Sequence, residues 1–343
     1  MTNRREFLKQ GAFAAAGLAA TGRIGSAFGR LLESPLASPE KSRVVLVRNA
    51  AVVDAAGKVE NALLERMLDK AITAFSGQAT AADAWRKYFA PEDVVGLKIN
   101  TLGNADIKGM ATTMHFASVI GAVAAGLRKA GVADKNLVVW DRSEEEMKEA
   151  GLTMQGDPGR MRFIANKVSR RDAGEYAETA NPVGGLSSRV SRILDQVTTA
   201  MVNICVPKTH SGAVFTNALK NHYGTIDNPG RMHANNCSNP GIAEVNAIPI
   251  IRKKQKLIVS DALLMVVEGG PRWNRRFIRP FGGLLVGTDP VAIDAVAVSL
   301  MDELRKADGL EPLAPRVPHI GLAEQLGLGR GKLADIDLVT ASA

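Results

Sequence analysis

The sequence predicts an α/β fold built on a mostly parallel sheet with helices on both faces. Short β-branched runs recur from Arg43 onward, each followed by a longer amphipathic segment. Gly131 and Gly151 close two of those segments where a helix needs a stop. The same strand-then-helix rhythm continues through the second half of the chain, which favours parallel strands joined by helical crossovers.

The elements follow in order. Residues 44–48 form a strand, and 60–74 form a helix because Leu63, Leu64, Met67, Leu68, Ala71 and Ile72 fall at helical spacing. Residues 94–100 are the next strand, with the helix 112–130 behind it. Residues 137–141 are a third strand, 144–150 a short helix and 161–165 a further strand. After the break at Pro182-Val183-Gly184-Gly185, residues 187–196 read as a helix that feeds the strand 200–206. Strands at 256–260 and 284–287, a helix at 290–305 and a strand at 336–340 complete the series. Thr288-Asp289-Pro290 opens the long helix with an N-cap and a proline at its first position, so Asp289 reads as a cap. Asp294, one turn on, points toward the same mouth.

Asn3-Arg4-Arg5-Glu6-Phe7-Leu8-Lys9, ahead of a weakly apolar Ala/Gly-rich run, has the form of a twin-arginine export signal. Gly25-Ser26-Ala27 supplies the small residues of a cleavage site. The expected organisation is therefore a signal peptide at 1–27, a linker at 28–42 and one composite α/β domain at 43–343, with a subdivision near 181 as the alternative. Such a signal engages the twin-arginine translocase and sends a folded protein to the periplasm. Arg4, Arg5, Lys9 and Arg23 against Glu6 make a net +3 in the signal, which leaves +5 of the chain's +8. That surplus is too small and too scattered to argue for nucleic acid, and no reading motif accompanies it. No mature segment approaches the ~20 apolar residues of a membrane span.

Cys205 and Cys237 are the two cysteines, too few for an iron-sulfur cluster of the four-thiolate kind. Cys205 lies in an apolar run and reads as a buried free thiol; Cys237 sits in a polar loop.

Four strands end in groups able to act as acid, base, ligand or anion clamp. Lys98-Ile99-Asn100, Asp141-Arg142-Ser143, Lys208-Thr209-His210 and Asp261 each follow an apolar run. In open α/β sheets ligands bind outside the carboxyl ends of strands, so these groups are expected to share a cleft. Asp141, His210, His222 and Asp261 are the candidate catalytic groups; Lys98, Asn100, Lys208, Lys220 and Arg231 are the candidate substrate binders. Two chemistries compete for the segment 208–237. His210, His222 and His233, with Asp227 or Cys237, have the donor types of a divalent metal site, although none of the usual paired spacings is present. Alternatively Lys98, Lys208, Lys220 and Arg231 converge on a carboxylate or phosphate. The run 272–279, with four arginines, is either part of such a site or a solvated basic loop over Trp273 and Phe277. Neither a nucleophile elbow, a phosphate-binding Gly-Lys-Ser/Thr loop nor a dinucleotide fingerprint occurs.

Val95-Gly96-Leu97-Lys98-Ile99-Asn100, Val139-Trp140-Asp141-Arg142-Ser143, Val206-Pro207-Lys208-Thr209-His210, Ala218-Leu219-Lys220-Asn221-His222-Tyr223-Gly224, Ser260-Asp261-Ala262-Leu263 and Gly287-Thr288-Asp289-Pro290-Val291-Ala292-Ile293-Asp294 occur in that order. Together they resemble the family catalogued as domain of unknown function 362, in its twin-arginine-exported branch. Some members carry ferredoxin-type cysteine clusters, which this chain lacks. The resemblance implies no stated activity. The leading expectation is an exported enzyme acting on a small anionic substrate, with a divalent metal as one candidate cofactor. The alternatives are a non-catalytic metal or anion carrier and a partner subunit of an exported redox complex.

Overall fold

The computed structural model describes residues 41–104, 115–169, 173–239 and 241–342. The export signal, the linker as far as residue 40 and the first residues of the expected helix 112–130 lie outside the described residues. Residues 41–343 cluster as one compact unit.

Among the described residues, the main path of the sheet runs β12-β1-β11-β10-β7-β2-β3-β4. Its members are β1 (Ser42–Arg48), β2 (Val95–Lys98), β3 (Leu137–Ser143), β4 (Arg162–Lys167), β7 (Ala200–Cys205), β10 (Gln255–Val266), β11 (Ile278–Gly287) and β12 (Ile336–Ser342). Only β11 opposes its neighbours; β12 with β1, and β10, β7, β2, β3 and β4 in succession, pair in parallel. A small ribbon, β8 (Lys208–His210) with β9 (Val214–Thr216), extends β10 past the end of β7. The α/β, mostly parallel architecture expected from the alternation is the one observed.

Alternation along each strand sorts the core into two layers. Val45, Val47, Leu97, Val139, Val202 and Val259 pack on one face beneath α1 (Asn61–Ser76) and α2 (His115–Lys129). Val44, Leu46, Ile258 and Leu285, and farther along Val138, Trp140 and Met201, pack on the other. That second face carries α3 (Ala218–Asn221), α4 (Ile242–Asn246), α5 (Pro290–Ala307) and α6 (Pro318–Gln325). Trp85, Trp140, Trp273 and Phe89 are among the largest buried apolar side chains, each at most 2% exposed, and at ~25 cal/mol per Å² of apolar area each contributes more than a typical aliphatic neighbour. Cys205 and Cys237 are both free and buried.

One element differs from expectation. Residues 187–191 are strand where a helix is expected, and only the end of that stretch turns helically: β5 (Tyr176–Val183) and β6 (Leu186–Ser191) form an antiparallel hairpin, and a π turn at Ile193–Val197 follows. Gly184 and Gly185, both at positive φ, make the two-residue turn that this twist requires. Ser188 and Val190 are the buried members of an alternating pattern that polar serines disguised. The proposed subdivision near 181 falls inside β5 of this hairpin.

A polar cleft at the carboxyl rim of the sheet

The chemistry of this rim starts with strand register. Lys98 lies beside Trp140 of β3 and Asn203 of β7, so all three side chains project from the same face. Lys98 Nζ donates to Ile99 O at 2.6 Å, Asp141 Oδ1 at 2.8 Å and Asn221 Oδ1 at 3.0 Å. Asp141 Oδ2 accepts from both the backbone and the hydroxyl of Thr101 at 2.7 Å. Burial opposes the Asp141 charge, but the Lys98 ammonium and the Lys98 and Thr101 hydrogen bonds outweigh it and hold the carboxyl below its usual range. Lys98 thus spends its donors on the protein itself.

The next layer comes from the ribbon. Lys208 pairs directly with Thr216 across β8 and β9, and His210 lies two residues along the same face. Lys208 is fully buried, its Nζ on Leu102 O at 2.6 Å and 5.9 Å from the Trp273 ring. Burial pulls it down to about 7, with Asp141 and Glu146 resisting and Lys220 assisting. Thr216 Oγ1 is buried with no hydrogen-bond partner, as is Asn100 Oδ1. His210 Nδ1 accepts from the amides of Gly212 and Ala213 at 2.9 and 3.1 Å, so the neutral ring carries its proton on Nε2. Burial and then the charge of Lys220 depress His210 to about 3.

Lys220, Asn221 and His222 leave α3 in three directions, as successive residues of a helical turn must. Asn221 turns to Lys98 and to Asn203 Oδ1, at 2.7 Å, while His222 Nε2 meets Gln255 Oε1 at 2.9 Å. Only Lys220 of the three points its charge into open space. Its Nζ approaches His233 Nε2 at 3.4 Å and stands 3.6 Å over the Tyr223 ring, and burial pulls it down to about 7. His233 Nδ1 donates to Pro229 O at 2.8 Å, which leaves Nε2 as the acceptor facing Lys220. Asp294 holds this turn in place: it is buried, and its carboxylate accepts from the amides of Ala218 and Leu219 at 2.8 and 3.2 Å. It therefore serves a backbone rather than pointing at the mouth. Asp289 caps α5 as expected, accepting from Val291 and Ala292.

The enclosed space measures about 190 Å³ and is lined by Asn100, Asp141, His210, Thr216, Lys220 and His233, among others. Tyr223, Gly224 and the Arg142–Glu146 ion pair complete its wall. Several expected members are elsewhere, and Lys208 lies behind the lining, its nitrogen on the carbonyl of Leu102. Asp261 is on the opposite face of β10, where its Oδ2 lies 2.7 Å from His115 Nδ1. The reason is parity: Ser260 faces the cleft side and the next residue must face away. His222 is buried in the Asn203–Gln255 network, and Arg231 is exposed and absent from the lining. The three-histidine metal arrangement therefore lacks His222, and His210 and His233 stand with ring centroids 6.0 Å apart. No group of three or more His, Cys, Asp or Glu among the described residues is placed to hold a metal ion. Thr216 and Tyr223 are cleft residues that the sequence reading does not assign, although a threonine directly after Ala213-Val214-Phe215 and before the Asn217-Ala218 turn is a usable signal.

A larger cavity of about 690 Å³ lies between α5 and α6, lined by Ala295, Val298, Leu310 and Ile320 with acidic and basic residues at its edge. Among the described residues, none of the buried polar atoms that lack a hydrogen-bond partner belongs to its lining.

The fold and the rim together define an open α/β protein with a cationic, partly unsatisfied polar cleft at its strand ends. The chain belongs to the family described as Domain of unknown function (DUF362), whose model matches residues 95–299. That span runs from β2 into α5 and contains every group lining the cleft. A crystal structure of a protein from Thermotoga maritima is similar at 12% identity with a TM-score of 0.37, over 71% of this chain and 58% of that one. The chain thus spans just over half of that protein. No curated protein matches the sequence. No helix among the described residues is long and apolar enough to cross a membrane.

Proposed function

We propose that this chain is an enzyme acting on a small anionic substrate, exported through its twin-arginine signal to work in the periplasm. One observation carries the anion reading. Lys220 is a buried amine that lines the cleft with no ion pair among the described residues, Lys208 is a second one just behind the lining with its nitrogen on Leu102 O, and the cleft wall holds a hydroxyl, Thr216 Oγ1, with no partner. Buried charges are normally paired, so amines with no counter-ion beside an unsatisfied hydroxyl support a site short of one anion. His210 Nε2–H adds a neutral donor to the same wall. The Lys220–His233 contact favours an enzyme over a carrier, because it joins an amine to an imidazole acceptor at an exposed rim and so gives a proton a path to solvent.

A cleft of about 190 Å³ suits a small ligand, such as phosphate or a short-chain carboxylate. Thermal unfolding with inorganic phosphate and with pyruvate tests the reading. Both anions raise Tm in the native chain, and Lys220→Met loses the rise while Asp261→Asn keeps it. A native chain indifferent to both anions would sink the proposal.

A further inference from the structure

We infer that Lys220 is an amine nucleophile that condenses with the carbonyl carbon of a small 2-oxo acid; this rests on the anion-site reading above and names its substrate class. Lys220 differs from its two lysine neighbours in what its nitrogen touches. Lys98 Nζ is consumed by three oxygen acceptors and Lys208 Nζ by the Leu102 carbonyl. Lys220 Nζ has no oxygen partner among the described residues. It meets an imidazole nitrogen at 3.4 Å and an aromatic face at 3.6 Å, and it lines the cleft.

These surroundings disfavour a permanent cation and supply a base. Burial brings Lys220 to about 7, so near neutrality about half the amine carries a free lone pair, against about one part in a few thousand for an ordinary lysine. The neighbouring groups divide the remaining work. The Thr216 hydroxyl suits the carboxylate, with Lys208, its cross-strand neighbour behind the lining, adding positive charge at longer range, and His210 Nε2–H suits the carbonyl oxygen.

The step balances within these groups. The Lys220 lone pair forms the C–N bond while the carbonyl π pair moves onto oxygen. His233 Nε2, oriented by its Nδ1–H bond to Pro229, takes a proton from nitrogen and returns it to oxygen. A second such transfer lets the oxygen leave as water, and the nitrogen pair closes the C=N bond. Oxo acid and amine become imine and water, with no oxidant or reductant consumed.

The test is reductive trapping. The full chain is incubated with pyruvate and borohydride near neutral pH, digested and mapped by mass spectrometry, with pyruvate and inorganic phosphate melting curves taken in parallel. The expected result is a reduced pyruvyl adduct on Lys220 at least about tenfold above any other lysine, suppressed by excess phosphate and missing from Lys220→Arg. The native peptide map decides the matter even where the variant folds poorly. Stabilisation by pyruvate with no Lys220 adduct, or with adducts spread over surface lysines, overturns the imine and leaves the anion site standing. No stabilisation by either anion and no adduct overturns both.

Discussion

Lys98 of β2 and Asp141 of β3 form a buried ion pair at 2.8 Å, with side-chain exposures of 0% and 6%. The pair ties two parallel strands together just where they end and sets the floor of the cleft. Every polar hydrogen of the ammonium and both carboxylate oxygens have partners, so the pair acts as a strut. Removing one member strands the other in a dry site. Lys98→Met is expected to cost about 3–5 kcal/mol in urea unfolding, and the double variant Lys98→Met/Asp141→Asn to be less damaged than Lys98→Met alone. Equal losses in the two proteins would show that the stranded carboxylate is not the source of the cost.

Anion affinity should depend steeply on pH. Lys208 and Lys220 both sit at about 7, and an anion prefers their charged forms. Phosphate binding, measured by calorimetry with the phosphate's own ionisation accounted for, should fall by up to about tenfold per pH unit above about 7 for each lysine engaged. Lys220→Met should flatten that slope. A slope unchanged by the substitution would place the titrating group elsewhere.

The folded state itself should respond to acid. His222, His319 and His210 are depressed by burial to about 4, 3 and 3, below the ordinary 6.5. In the window between those values the unfolded chain binds more protons than the folded one, so stability is lost as pH falls below about 6.5. The two lysines act in the same direction at higher pH: between about 7 and 10.5 the unfolded chain holds the proton that the folded one has shed, and stability rises with pH. His319 is the cleanest probe, being fully buried with both ring nitrogens unpartnered. His319→Phe should be neutral or stabilising by about 1 kcal/mol at pH 7 and should shallow the acid limb of the stability curve.

Asp261 and His115 belong to the layer beneath α2, on the far side of the sheet from Lys220. Asp261→Asn should lower stability by about 1–3 kcal/mol while leaving phosphate affinity within about twofold of the native value. A loss of binding with intact stability would return Asp261 to the site.

Gly224 lies against the strut. A β-carbon there would stand 2.9 Å from Lys98 Nζ and 3.0 Å from Asp141 Oδ1. Because both atoms are fixed by buried hydrogen bonds, Gly224→Ala should cost about 1–3 kcal/mol, read from the denaturation midpoint. An unaltered midpoint would mean the pair has room to move.

Some of the cleft was legible along the chain. Asn100, Asp141, Lys208, His210 and Lys220 each close an apolar run or a helical turn next to one; four of them line the cleft and Lys208 lies behind it. Asp261 was picked by the same rule and lies behind the sheet, because a rule about strand ends says nothing of parity. His222 failed for a related reason: two residues beyond Lys220 a helical turn has swung about 200° away. The Gly184-Gly185 turn was visible as a break, but serines in β6 hid its alternation and a helix was expected in place of a strand.

The sequence by itself determined the alternation of strands and helices, the capping of α5 by Asp289 and the family to which the chain belongs. These depend on local spacing and on short runs of residues whose order alone identifies them. Which lysine is a strut and which is an open amine was decided only by the tertiary structure. Lys98, Lys208 and Lys220 are chemically identical in the chain, and they differ because strand register and a helical turn give them three, one or no oxygen acceptors at the nitrogen. Desolvation and hydrogen-bond partners come from residues more than a hundred positions away, as Leu102 is from Lys208 and Asn221 from Lys98, and such distances are set by folding.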